Sequence, residues 1–180
     1  MTTSGVIDSV DQLTLRYTDI SDLPAVAAMH HRCSMRSRYR RYMSGMATPT
    51  RRHLVSLIAS PYGYAVVAET ADGQIVALGN LMWTRPDAGG EIALLVEDAW
   101  QRRGLGGALL RRLYQLAGQI GVGSLHLHTH LDNAGLIRAV EALGKPLHRG
   151  YADGVLTLTL DTDAVPPSAR HERRRVPRAS

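Results

Sequence analysis

Gln101-Arg102-Arg103-Gly104-Leu105-Gly106-Gly107-Ala108 is the stretch whose residue types and spacing point most directly to chemistry. It follows a short apolar run, 92–96, and opens a long amphipathic pattern, 105–120. A strand, a glycine-rich turn and a helix in that order make an anion site. The first N–H groups of a helix lack internal partners, and the helix dipole adds positive charge there. Gly104, Gly106 and Gly107 carry no Cβ, so phosphate oxygens can approach the main chain. Arg102 and Arg103 add charge-assisted donors. No Lys-Ser/Thr pair follows the glycines, which disfavours a Walker loop and Mg-nucleotide hydrolysis. Leu109 stands where a dinucleotide fingerprint needs its third glycine.

His126, His128 and His130 form a second group, alternating with Leu125, Leu127 and Leu131. Three imidazoles on one strand face can suggest a metal. Residues two apart on a strand are about 7 Å apart along it, too far for three to share one ion. A half-buried polar face is the expectation, with one histidine open to a proton-relay or substrate-contact role. Cys33 is the sole cysteine, so no internal disulfide forms, thiolate-ligated zinc is disfavoured, and a packed, unreactive thiol is expected. No metal is expected.

The spacing that remains, Gln/Arg-x-x-Gly-x-Gly/Ala, resembles the pyrophosphate loop of the GNAT superfamily of acetyl-CoA-dependent acyltransferases, and the likeness runs from Glu91 through Ala108. The resemblance implies acetyl-CoA as co-substrate, held by Gln101, Arg102, Arg103, Gly104, Leu105, Gly106 and Gly107. Its pantetheine arm would pair with the main chain of the preceding strand at Leu95 and Val96. Asn133 matches the family asparagine that opens the next helix on the cofactor's side. Glu91 stands thirteen residues before Gly104, where several branches place a glutamate that deprotonates the incoming ammonium through water. Glu91-Ile92-Ala93 looks like the bacterial protein lysine acetyltransferase branch. So does Ser34-Met35-Arg36-Ser37-Arg38-Tyr39-Arg40-Arg41-Tyr42, which resembles the Ser-x-x-Ser-x-Tyr-x-Arg-Phe segment beside that branch's acceptor site.

In one respect the chain departs from the family. Many members protonate the leaving thiolate with a Tyr seven residues after the asparagine, and here that position is Val140. The implied enzyme is an N-acetyltransferase of the EC 2.3.1 type, transferring acetyl directly to an amine in a ternary complex. Protein lysine and small-molecule amines are alternative acceptors, and a catalytically weak acyl-CoA-binding module is a further reading. A monomer or homodimer is expected.

Composition sets the outer bounds. The chain of 180 residues is 44% hydrophobic, enough for one domain with a core. No apolar run is long enough to span a bilayer, and residues 1–11 lack a signal-peptide pattern, so a cytoplasmic protein without membrane partners is expected. The formal charge of +5 is concentrated in five arginines within 32–41 and five within 170–178. Neither patch has interleaved aromatics on strands or a recognition helix, so no specific nucleic-acid partner is expected. The stretch 32–41 either holds an acidic substrate or forms a solvated basic face.

The elements that must position these residues follow from periodicity. Alternation predicts strands at 13–17, 63–70, 75–83, 91–97, 124–131, 147–151 and 155–160. Helices are predicted from a Ser21 or Asp22 cap to about residue 32, at 51–59, at 105–120, and from an Asp132 or Asn133 cap to about 144; 36–43 is a short helix or a loop. Residues 85–90 read as a loop. Glu97 and Asp98 are expected to cap or to pair with Arg102 or Arg103, and His30-His31 to offset a helix dipole. This order of elements resembles the GNAT fold over residues 12–160: an α+β fold, an α/β/α sandwich on a mixed, mostly antiparallel sheet. Its fourth and fifth strands splay to admit the cofactor arm. Residues 1–11 are expected to be a flexible N-terminus and 161–180 a disordered Pro/Arg-rich tail.

Overall fold

The structure, a computed structural model, describes residues 12–45, 49–83 and 89–163. The expected N-terminal arm, residues 85–88 of the expected loop, and the tail from 164 onward lie outside the described residues. Strands β1 (Thr14–Tyr17), β2 (Gly63–Glu69), β3 (Ile75–Met82), β4 (Gly90–Val96), β5 (Ser124–Thr129), β6 (Leu147–Ala152) and β7 (Val155–Asp161) form one sheet in the order β1-β2-β3-β4-β5-β7-β6. Every neighbouring pair is antiparallel except β4 and β5, which run parallel. Helices α1 (Leu23–Arg32), α2 (Met35–Tyr42), α3 (Arg51–Ile58), α4 (Leu105–Ile120) and α5 (Ala134–Glu141) complete the domain.

Strand alternation sorts the side chains into two cores. Val66, Ala68, Ile92, Leu125 and Leu127 pack with Leu105, Leu109, Leu110 and Leu113 of α4. Ala65, Val67, Leu78 and Leu95 pack the other way, against Val26 and Met29 of α1 and Leu54 and Ile58 of α3. Two helical layers on one sheet make the α/β/α sandwich that the sequence pattern implies. The apolar stripe of α4 starts and stops at residues that need positive φ, Gly104 at 86° and Gly121 at 87°. Asp153 and Gly154, both at positive φ, close the β6–β7 hairpin.

Several boundaries differ from the sequence expectation. The first helical turn is a 3₁₀ segment, Ile20–Asp22, with Asp19 as its cap and Asp22 accepting back from Asp19 N at 2.8 Å in a capping box, so the cap lies ahead of Ser21 and Asp22. Arg16 holds Asp22 in place through two hydrogen bonds of 2.8 Å, which leaves that carboxylate no capping role on α1. Of the two readings for 36–43, helix is found, running 35–42, since Ser34 accepts from Ser37 N and caps it, and Met43 at φ 53° ends it. β5 ends at Thr129, which leaves His130 outside the strand. The domain extends past residue 160: Asp161 closes β7, Thr162 bonds back to the carbonyls of Gly123 and Val122, and Asp163 pairs with Lys145. Among the described residues no helix is long and apolar enough to cross a membrane.

Candidate active site

β4 and β5 share only two registered pairs, Gly90 with Leu125 and Glu91 with His126. Beyond them the strands part, leaving a gap that opens toward the start of α4. The N–H of Glu97 donates to Val76 O at 2.9 Å, so Glu97 faces β3. Main-chain groups alternate sides along a strand. Leu94 and Val96 therefore turn their N–H and C=O groups into the gap. Leu95 turns its own toward β3 and buries its side chain on the α1/α3 face. Of the two strand residues expected to meet the cofactor arm, Val96 turns its main chain into the gap, where its carbonyl accepts from Gln101, and Leu95 turns its own toward β3.

At the open end of the gap, Arg102 takes φ 61° and Gly104 φ 86°. The first helical bond of α4 runs from Ala108 N to Gly104 O, so the N–H groups of Leu105, Gly106 and Gly107 lie ahead of the helical ladder. A Cβ added at Gly104 or Gly107 would meet nothing within 4 Å. The turn is therefore uncrowded beside these glycines, and with its unpaired N–H groups it fits an anionic group such as a pyrophosphate. Arg103 lies over the Trp100 ring at 5.5 Å. Gln101 donates to Val96 O at 2.9 Å and to Ser37 Oγ at 2.8 Å. On the far wall, Asn133 precedes α5 without capping it and donates instead to Thr129 Oγ1 at 3.0 Å. Val140, on α5, is buried in the α4-side core, so that helix position offers no hydroxyl.

At the paired end of the gap lies a cavity of about 460 Å³, bordered by Ser60, Met82, Gly90, Glu91, His126 and His128. Glu91 is exposed and stands between Met82 of β3 and His126 of β5. Both histidines face the same side of the sheet as Glu91, since Leu125 and Leu127 occupy the opposite core. Their Nδ1 atoms lie 3.1 Å from Thr159 Oγ1 and Thr157 Oγ1, respectively. A groove of about 580 Å³ between α1 and α3 is larger, but no carboxylate borders it. Among the described residues no cluster of ligands can hold a metal ion.

α2 spans the gap, a feature that sequence reasoning missed. On the β4 side, Asp98 accepts from Ser34 N and Oγ at 2.7 Å each and from Ser37 Oγ at 2.9 Å. Burial alone would raise the Asp98 carboxyl, but these bonds outweigh it and hold the group below its ordinary range. On the β5 side, Arg40 and Arg36 pair with Asp132 at 2.7 and 3.2 Å, and Tyr39 stacks on His130 with centroids 5.1 Å apart. The serine spacing of 34–37 was the one available clue, since it places two hydroxyls on one helical face.

These contacts correct three expectations. Glu97 pairs with Arg32 at 3.0 Å and Asp98 accepts from the serines, partners on α1 and α2 that local sequence did not suggest, because those helices pack directly against that turn. The arginines of 32–41 are neither a free basic face nor an open acid-binding patch. Arg38 donates to the carbonyls of His30 and Cys33, and Arg41 to Asn80 Oδ1 at 2.8 Å. His30 does not offset a dipole: burial pushes its imidazole down to about 4, and Nε2 lies 2.6 Å from the Tyr42 hydroxyl. Cys33 is buried, its thiol pushed up to about 12, chiefly by burial and then by Asp98 and Glu97.

With this geometry in view, comparisons define the class. Residues 29–144 match the Acetyltransferase (GNAT) family, and the chain belongs to that family of N-acetyltransferases. No curated protein matches the chain. Solved structures share its fold. The GNAT domain of S. lividans PAT superposes with TM-score 0.74 at 22% identity, over 82% of this chain and 89% of that one. yncA from Salmonella typhimurium, solved with its cofactor acetyl-CoA, gives 0.69 at 22% identity, over 87% and 99%. Spermidine N-acetyltransferase from Vibrio cholerae, solved with CoA and spermine, gives 0.65 at 16% identity, over 84% and 96%.

Proposed function

We propose that the chain moves an acetyl group from acetyl-CoA directly to a primary amine, with a protein lysine as acceptor and Glu91 as the base. The observation that carries this reading is the position of Glu91. It is exposed on the cavity, on the last residue pair before β4 and β5 part. The open cradle at Gly104–Gly107 and the gap-facing main chain of Leu94 and Val96 support acetyl-CoA as the donor. Gln101, Arg102, Arg103 and Leu105 frame its pyrophosphate end, and Asn133 stands on the opposite wall.

A free lysine ammonium, with a pKa of about 10.4, is almost wholly protonated at neutral pH and cannot attack. Glu91 takes one proton from it through water. The neutral amine then adds to the thioester carbonyl, and the acetyl group transfers as sulfur leaves. An acyl-enzyme route is disfavoured because Cys33 is buried and its thiol is raised. The lysine acceptor is supported by the Ser34–Tyr42 segment, which resembles the stretch beside the acceptor site of the protein lysine acetyltransferase branch. A small-molecule amine is the competing acceptor.

Glu91→Gln keeps size and most hydrogen bonds but removes basicity. The expected result is a turnover loss on the order of 10²-fold, little change in acetyl-CoA affinity, and partial rescue at high pH where the amine is already neutral. Wild-type turnover in Glu91→Gln at every pH would remove Glu91 from the mechanism.

A further inference from the structure

Transfer from a thioester to an ammonium involves two nitrogen protons and one sulfur. The first proton must leave before attack. The second leaves nitrogen after the N–C bond forms, and sulfur needs a proton as the C–S bond breaks. Glu91 accounts for the first. No hydroxyl on α5 accounts for the delivery to sulfur, because Val140 is aliphatic and buried in the core.

We propose that His128 carries the second ammonium proton from nitrogen to the departing coenzyme A sulfur. The proposal rests on the acetyl-transfer reading above. His128 is the next residue on the Glu91 face after His126, one step of about 7 Å past the last β4–β5 pair. It stands at the head of the gap, where the thioester must meet the amine. Its side chain is exposed and borders the same cavity as Glu91. Across the gap, the same-face residue of β4 is Ala93, the smallest side chain available after glycine, which leaves room between the strands.

The hydrogen bonding suits a shuttle. With Nδ1–H donating to Thr157 Oγ1 at 3.1 Å, the neutral ring presents the bare Nε2 lone pair away from β7. Nε2 takes the proton from the positively charged nitrogen of the adduct. The imidazolium keeps its Nδ1–H bond to Thr157 and gives the Nε2 proton to sulfur as the C–S bond breaks. The ring ends neutral, as it began. One proton has passed through Glu91 to water and one has reached the thiol, so protons and charge balance.

The neighbouring histidines sit differently. A methyl at Gly89 would lie 3.0 Å from His126 Nε2, so that ring is turned against the main chain before β4. His130 lies beyond β5, stacked on Tyr39.

The test compares leaving groups in wild type, His128→Gln, Thr157→Val and Glu91→Gln. Donors are acetyl-CoA and an acetyl thioester of an aromatic thiol, whose thiolate departs without a proton. With acetyl-CoA, His128→Gln should lose on the order of 10²-fold in kcat, with acetyl-CoA affinity by calorimetry unchanged. Thr157→Val should lose about 10-fold, again in kcat and not KM. With the aromatic thioester, the His128→Gln loss should shrink to about 3-fold or less, while Glu91→Gln remains impaired. Equal losses of His128→Gln on both donors, or no loss on acetyl-CoA, would overturn the proposal and leave the transferase reading standing. A wild-type chain that acetylates no amine from acetyl-CoA would overturn both.

Discussion

His30 shows how a single buried imidazole makes the fold sensitive to pH. Its ring is about 1% exposed and is held by Val26 O and the Tyr42 hydroxyl. Burial is the main reason its affinity for a proton falls from 6.5 to about 4, with Arg41, His53 and Arg38 adding repulsion. The unfolded chain binds a proton near 6.5, whereas the folded chain resists binding until about 4. Stability is therefore intact above 6.5 and falls as pH drops from 6.5 to about 4, by an amount on the order of 3 kcal/mol. Thermal melts across that range should show the decline, and His30→Gln should flatten it between those limits. An unchanged slope in the variant would assign the effect to other groups. Glu91 and His128 lie at the opposite extreme, exposed on a cavity, and their substitutions are expected to change turnover and not stability.

At the scale of elements, α2 matters most. Its two serines and Asp98 fasten it beside β4, and its arginines with Asp132 fasten it beside β5. Asp98→Ala removes three accepted hydrogen bonds, one of them from the N–H of the α2 N-cap residue. A loss of about 1–3 kcal/mol is expected, read as a lower melting temperature with the α4 cradle intact. The loop before α4 answers to a different substitution. Gly104→Glu places a side chain at φ 86° and a negative charge at the helix N-terminus, so acetyl-CoA affinity by calorimetry should collapse. Undiminished affinity would move the cofactor elsewhere.

These elements also show what a sequence can disclose. The α4 stripe, the glycines that bound it and the β6–β7 turn were readable because each depends on local spacing. The partners of Glu97 and Asp98 were not, since they lie on α1 and α2, some sixty positions away in sequence. The orientation of Leu95 was hidden for a related reason: composition marks a strand, but only its register with β3 decides which residues face the gap. Glu91 and the histidines of β5 were each visible alone, and the parallel pairing of Glu91 with His126 brought them to one cavity.

At the scale of the whole molecule, the last described residues are tied into the domain. β7 runs through Asp161, whose carbonyl accepts from the Tyr114 hydroxyl at 3.0 Å, and Lys145 pairs with Asp163 at 2.7 Å. Truncation after Asp163 should leave melting temperature and acetyl-CoA affinity unchanged. Truncation after Leu160 should lower the melting temperature, because it also removes the Thr162 bonds to the turn before β5. A large drop in the first variant would show that the remaining tail packs on the domain. The proposed function requires the two helical layers, the parted strands and α2 to bring a thioester and an amine together at Glu91. The most direct measurement is amine-dependent release of coenzyme A thiol from acetyl-CoA by the purified full chain, with lysine peptides and small amines as acceptors and mass spectrometry of the products. The account expects one N-acetylated amine for each thiol released, with lysine peptides among the products. Tight acetyl-CoA binding without any acetylated amine would contradict it and mark the chain as a binding module.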